Sequence, residues 1–128
     1  MSCCDTFGQS TATADRLPNP IIRDHDECGY PVAFKGVVGT NYPDNMPVKL
    51  GVAPGTVEPA PDGVGAIGIV TTPKEPVVAG SEVLTVKTFV AEMAWADIAT
   101  AVGASPTDQA AWWAMVPNLI NVVKYLKF

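Results

Sequence analysis

The sequence predicts an α+β, predominantly β fold: a small β-rich domain over residues 31–128 with one short C-terminal helix, preceded by an extended N-terminal arm over residues 1–30. Three observations predict it. Twelve prolines and eleven glycines cut the 128 residues into short segments, with turn signals recurring roughly every dozen residues, as in compact β domains. One stretch, beginning at Ser105, joins a helix-start signature to apolar residues at helical spacing. Residues 1–30 hold few large apolar side chains and many Ser, Thr, Asp and Pro, a composition that cannot build its own core. A chain of this length buries a single core and has no room for a second domain.

Within the arm, Leu17-Pro18-Asn19-Pro20-Ile21-Ile22 stands apart. Its prolines force extended backbone, and Leu17, Ile21 and Ile22 offer apolar anchors, either against the chain's own domain or as a strand added to a partner's sheet edge. From Tyr30 the character changes. Val32–Val38 reads as a strand, Asn41–Asn45 as a turn, Val48–Val52 as a short strand and Pro54-Gly55 as another turn. A loop is expected over Glu58–Asp62, where two prolines cannot donate to a ladder. Val64–Thr71 is a glycine-bearing strand, and Pro73–Pro76 a loop. Val83–Val90 is the longest strand expected, with Leu84, Val86 and Val90 on one face. Ala91–Val102 fits either a short helix or an extended connection. Ser105 is then the expected helix cap, with Pro106 in the first turn and Asp108 at the positive end of the helix dipole. Trp112, Met115, Val116, Leu119 and Ile120 form one apolar helical face. Pro117 must kink or end that helix near Val116. Asn121 suits its C-terminal cap, and Val122–Phe128 closes the chain as a strand.

The stretch Gly63-Val64-Gly65-Ala66-Ile67-Gly68 has the G-x-G-x-x-G spacing of a dinucleotide site, with Glu82 near the position of the ribose-binding acid. Its context is wrong. A proline-rich segment leads in and a β-branched run leads out, where the motif needs a strand and then a helix. The glycines are better explained by a bulge or by close approach of another backbone. Asp24-His25-Asp26-Glu27-Cys28 gathers five potential metal ligands, but neighbouring residues project in different directions and the chain has one histidine. A solvated acidic turn accounts for it, and no metal or other cofactor is expected. Cys3, Cys4 and Cys28 are an odd set without C-x-x-C spacing and read as reduced thiols. No nucleophile has a base at a recognisable spacing, and Glu58, Asp62, Glu75 and Glu82 all fall beside turns, so no catalytic residues are assigned and the chain is not read as an enzyme.

Charged residues make up only 16% of the chain while hydrophobic ones reach 48%, against about 25% charged in typical soluble domains. Part of the surface is therefore expected to lie against copies of the chain or a partner. The net charge of −5, with Lys and Arg scattered singly, disfavours nucleic acid and anionic membranes. No run reaches the roughly 20 apolar residues of a membrane span, and residues 1–10 lack the layout of a signal peptide.

The order of these segments resembles the lambda-type head-decoration proteins of tailed bacteriophages. The likeness is carried by Gly65-Ala66-Ile67-Gly68-Ile69-Val70, Leu84-Thr85-Val86-Lys87-Thr88-Phe89, Trp95, and Gln109–Leu119 followed by Val122–Phe128. It covers roughly residues 45–128, and its motifs are short. The pair Trp112-Trp113, Pro117 and the long Cys-bearing N-terminus depart from the family pattern. The resemblance implies a β-tulip-like domain and a homotrimer. It further implies a protein made in the host bacterial cytoplasm that sits on the outer surface of an expanded icosahedral shell, with the major capsid protein as partner and the arm, through Leu17, Ile21 and Ile22, as the capsid-binding segment. Alternatives of the same composition are a dimeric β-sandwich cement protein, a tail or fibre adaptor, and a small metal-binding protein or enzyme built on Asp24–Cys28.

Overall fold

A computed structural model of the protein describes residues 31–128. Among these residues seven strands and two short helices form two layers of different construction. Strands β1 (Pro31–Lys35), β2 (Pro47–Leu50), β3 (Val57–Pro59), β4 (Ala66–Val70) and β5 (Val83–Lys87) make one antiparallel sheet in the order β1-β5-β4-β2-β3. The sheet curls until its two edges touch at one corner. There the Lys35 N–H donates to the Gly55 carbonyl at 2.9 Å, and Lys35 bridges Thr56 just ahead of β3. Strands β6 (Val90–Ala94) and β7 (Val123–Lys127) form a separate parallel pair, joined by helix α1 (Trp95–Val102), helix α2 (Gln109–Met115) and a 3-10 turn over Val116–Leu119.

The buried residues fall into two clusters where the chain length suggested one. Tyr42, Met46, Val48, Val57, Val70, Val77, Leu84 and Val86 fill the curled sheet. Ile69, Trp95, Ile98, Ala99, Met115, Leu119, Val122, Val123 and Leu126 fill the space between that sheet and the helices. Strand β4 is the wall between them: Ile69 faces the helices and Val70, the next residue, faces the sheet interior. A bulge sets this phase. Val48 pairs with Gly68 while Lys49 pairs with Ala66, so Ile67 is the extra residue and the alternation of faces shifts by one across it.

Several elements differ from their expected bounds for identifiable reasons. The segment Glu58–Asp62, expected as a loop, begins inside β3. Pro59 is tolerated because β3 is an edge strand paired only with β2, which leaves its missing N–H on the open side. The stretch Val83–Val90 breaks at Thr88-Phe89, so Leu84 and Val86 enter one core while Val90 begins β6 and packs against the other. Ala91–Val102 contains both a strand end and helix α1, which buries Trp95, Ile98 and Ala99 at i, i+3 and i+4 and stops at left-handed Gly103. Ser105 does not cap α2. Pro106 occupies a turn closed by the Asp108 N–H to the Ser105 carbonyl at 3.1 Å, and Asp108 caps instead, its carboxylate accepting from the Ala111 N–H at 3.0 Å.

Pro117 ends the α-helix at Met115, as its missing N–H and ring clash require. The chain then tightens into the 3-10 turn, which rotates roughly 20° further per residue than an α-helix. Trp112, Met115, Val116 and Leu119 still face inward, but Ile120 is carried out to 68% exposure. Asn121 is not a left-handed cap. The turn closes through the Val122 N–H to the Leu119 carbonyl at 2.9 Å.

Candidate interaction surface

The anchors Leu17, Ile21 and Ile22 lie outside the described residues, as does the Asp24–Cys28 ligand set. The same holds for every histidine and cysteine of the chain. Among the described residues no three Asp or Glu side chains converge on a site for a metal ion. No helix among them is long and apolar enough to cross a membrane.

The G-x-G-x-x-G stretch is built for backbone geometry. Gly63 adopts a left-handed φ of 77° in the turn before β4, and a side chain there would collide with Met115 Sδ at 2.7 Å. The Asp62 carboxylate accepts the Val64 N–H at 3.0 Å, placing a negative group where a phosphate cradle would offer free donors. Gly68 lies where β4 passes β5: a Cβ would press on the Val86 side chain and sit 2.8 Å from the Lys87 carbonyl oxygen. What leads out is strand β4, with no helix to aim N–H groups.

What the described surface offers is apolar area and unpaired strand edges. Twelve large hydrophobic residues are exposed among the described ones, and four of them belong to two distinct regions. The first is a shallow hollow of about 590 Å³ beside β2 and β3, lined by Val37, Val52, Ala53 and Pro59 with Lys49 and Glu58 among them. Val52, 99% exposed, stands at its rim. The second is an aromatic cluster at the end of the helical layer. The Trp112 ring lies 4.5 Å from Trp113 and 5.1 Å from Phe128 between centroids, and both neighbours are more than half exposed. Trp112 itself is fixed by its Nε1–H, which donates to the Leu126 carbonyl at 2.9 Å and ties α2 to β7. Among the described residues β6 and β7 pair only with each other, while β1 and β3, the edges of the larger sheet, meet at the Lys35–Thr56 corner.

Among the described residues, folding shifts the titration of Tyr42. Burial pushes its phenol above the usual value; the Val37 N–H donated to its oxygen opposes this, and the negative Glu58 adds to it. Tyr42 is a structural plug: its hydroxyl donates to the Val57 carbonyl at 2.6 Å and accepts the Val37 N–H at 2.9 Å. Both bonds serve backbone groups where the chain leaves the regular ladder.

Sequence reasoning found the glycine geometry and the apolar helix face. It missed the parallel β6–β7 pair, because nothing local in Val90–Ala94 or Val123–Lys127 specifies which strand lies beside which. The alternation in Val57-Glu58-Pro59 was a signal for β3, masked by its proline. No protein-family model matches the chain, and a search of curated proteins finds no match either. Chemically, the arrangement suits adhesion: edges accept strands, apolar hollows accept side chains, and the acids near them are solvated.

Proposed function

We propose that this chain is a structural virion protein, a decoration or cement protein that binds the outer surface of an expanded icosahedral phage shell and stabilises it. The observation that carries the reading is the amount of apolar surface and strand edge on a domain so poor in charge. A small domain that exposes Trp113, Phe128, Ile120 and Val52 is suited to a life against other proteins. The segment order shared with the lambda-type decoration proteins supports the same reading. It includes the glycine-bearing strand and the short helix leading to a terminal strand.

In this role the protein works by mass action. A ligand that binds only the expanded lattice lowers the free energy of that lattice relative to every other state, in proportion to its occupancy. Attachment of a multimer through several weak contacts raises the occupancy without any single strong one. The arm, through Leu17, Ile21 and Ile22, supplies the extended segment that adds to a shell strand, and three copies supply three arms. A net charge of −5 suits the outer face, away from packaged DNA.

The test is co-sedimentation with purified expanded and unexpanded shells. The protein is expected to pellet with expanded shells at a fixed ratio to the shell subunit, and a variant lacking residues 1–22 is expected to stay folded and remain in the supernatant. Absence of binding to any shell defeats the proposal, and full binding by the truncated variant defeats the role of the arm.

A further inference from the structure

We infer that the two open edges of the β6–β7 sheet are the two halves of one head-to-tail contact between copies of this chain, β7 of one copy seating along β6 of the next. This deepens the self-association contained in the proposed function and rests on it only for the number of copies.

Among the described residues the backbone leaves both edges unfinished. In a parallel ladder the N–H and C=O of one residue point to the same side, and those of the next residue to the other. The Val90 N–H donates to the Val122 carbonyl at 2.7 Å, and the register runs Val90 with Val123, Glu92 with Tyr125 and Ala94 with Lys127. Ala91 and Met93 therefore turn their backbone groups away from β7, and Val123 and Tyr125 turn theirs away from β6. Such rows are templates for another strand. Parallel strands are ordinarily interior members of larger sheets, and a pair alone is marginal.

The two edges differ in shape and in charge, which identifies the occupant. Along the outer side of β6 runs a groove of about 300 Å³ whose apolar lining is Ile69, Val90 and Met93. Glu92 and Asp97 stand on it against one base, Lys87, and the adjoining hollow adds Asp44 and Glu75. Strand β7 is the reverse: it reads Val-Lys-Tyr-Leu-Lys and carries no acid. Lys124 and Lys127 are exposed, and Tyr125, 56% exposed, projects between them in sequence. No ion pair among the described residues occupies Glu92, Asp97, Lys124 or Lys127. An edge with an aromatic side chain and two lysines thus fits a slot with an apolar lining and an acidic rim.

A contact between two different patches is heterologous, and with the small closed number of copies of the proposed function, rotation about an axis along the strands repeats it into a ring. Closure leaves no β6 or β7 edge free. The lysines of each copy then reach Glu92 and Asp97 of the next, and Tyr125 enters the groove.

The test uses the full-length protein and its mass in solution by sedimentation velocity, with near-UV circular dichroism confirming the fold of each variant. Wild type is expected to associate. Lys124→Glu with Lys127→Glu, and separately Glu92→Lys with Asp97→Lys, are each expected to weaken association by roughly tenfold or more, because like charges then meet across the contact. All four substitutions together restore opposite charges and are expected to restore the assembly. Tyr125→Ser, which changes no charge, weakens it as well. A monomeric wild type, a charge-reversed pair that keeps the wild-type mass, or a folded fourfold variant that stays dissociated overturns the inference. Shell binding is scored separately: a monomer that still pellets with shells removes this contact and leaves the decoration role standing.

Discussion

Tyr42 in the curled sheet and Trp95 in the helical layer are both fully buried aromatic residues carrying one polar group, and their polar groups fare differently. The Tyr42 hydroxyl has a donor and an acceptor on the backbone. Trp95 Nε1 has no hydrogen-bond partner among the described residues, and a buried donor left so costs about 1–3 kcal/mol. The strand edges follow the same division. The sheet half ties its edges together at Lys35 and Thr56, whereas the helical half ends in a parallel pair open on both sides. The difference teaches where the molecule is complete on its own. The antiparallel half satisfies its interior within one chain, and the helical half carries the unfinished hydrogen bonding and the aromatic surface that a neighbour can cover.

The comparison is broken most forcefully at the wall between the halves. Gly68→Val forces a branched side chain against Val86 and the Lys87 carbonyl, at a point where β4 and β5 share only the pairs Ile69 with Lys87 and Val70 with Val86. A backbone oxygen cannot move aside as a side chain can, so the cost is expected to be about 3 kcal/mol or more. Both cores are expected to fail together in a denaturant titration; one surviving core would show that the halves are independent.

Tyr42→Phe sharpens the sheet side of the comparison. It strands the Val57 carbonyl in the interior and removes the acceptor for the Val37 N–H, an expected loss of about 2–3 kcal/mol measurable by urea unfolding. Because folding raises the Tyr42 pKa, its contribution is whole below the unfolded value of about 10. It is lost as pH climbs through the folded value. Wild type is therefore expected to lose stability above about pH 10, and the Phe variant to show a shallower alkaline decline.

The smallest effect belongs to the helical side. Asp108→Ala removes the only side-chain cap seen on either helix and is expected to cost about 1 kcal/mol, read as a lower midpoint in thermal unfolding. Asp108→Ser should recover most of it, since a hydroxyl can accept the same Ala111 N–H.

Much of the sheet half was legible in the residues. Alternation in Leu84 and Val86, the turn around Pro43 and the glycines of 63–68 all act locally, and each has its expected structural consequence. The helix stop at Pro117 was legible for the same reason. The cap was not, because Ser105 and Asp108 both carry the right oxygen and only the fit of a Pro106 turn decides between them. The division into two cores was hidden as well: it depends on a one-residue bulge at Ile67, which no spacing announces. Of the surface, the scarcity of charge in the sequence goes with the exposed apolar side chains of the fold. The sequence did not show that Glu92 and the β7 lysines lie at opposite edges of one sheet, since residues more than thirty positions apart meet there only through the fold.

All three tryptophans of the chain, Trp95, Trp112 and Trp113, belong to the helical layer, and the curled sheet contains none. Indole emission is therefore a light confined to one half of the molecule. One ring is buried in apolar surroundings, and the other two lie against each other, with Phe128 beside Trp112. A change in that emission on unfolding reports the helical half alone. Backbone circular dichroism reports both, so the gap between the two signals measures directly how tightly β4 couples one core to the other.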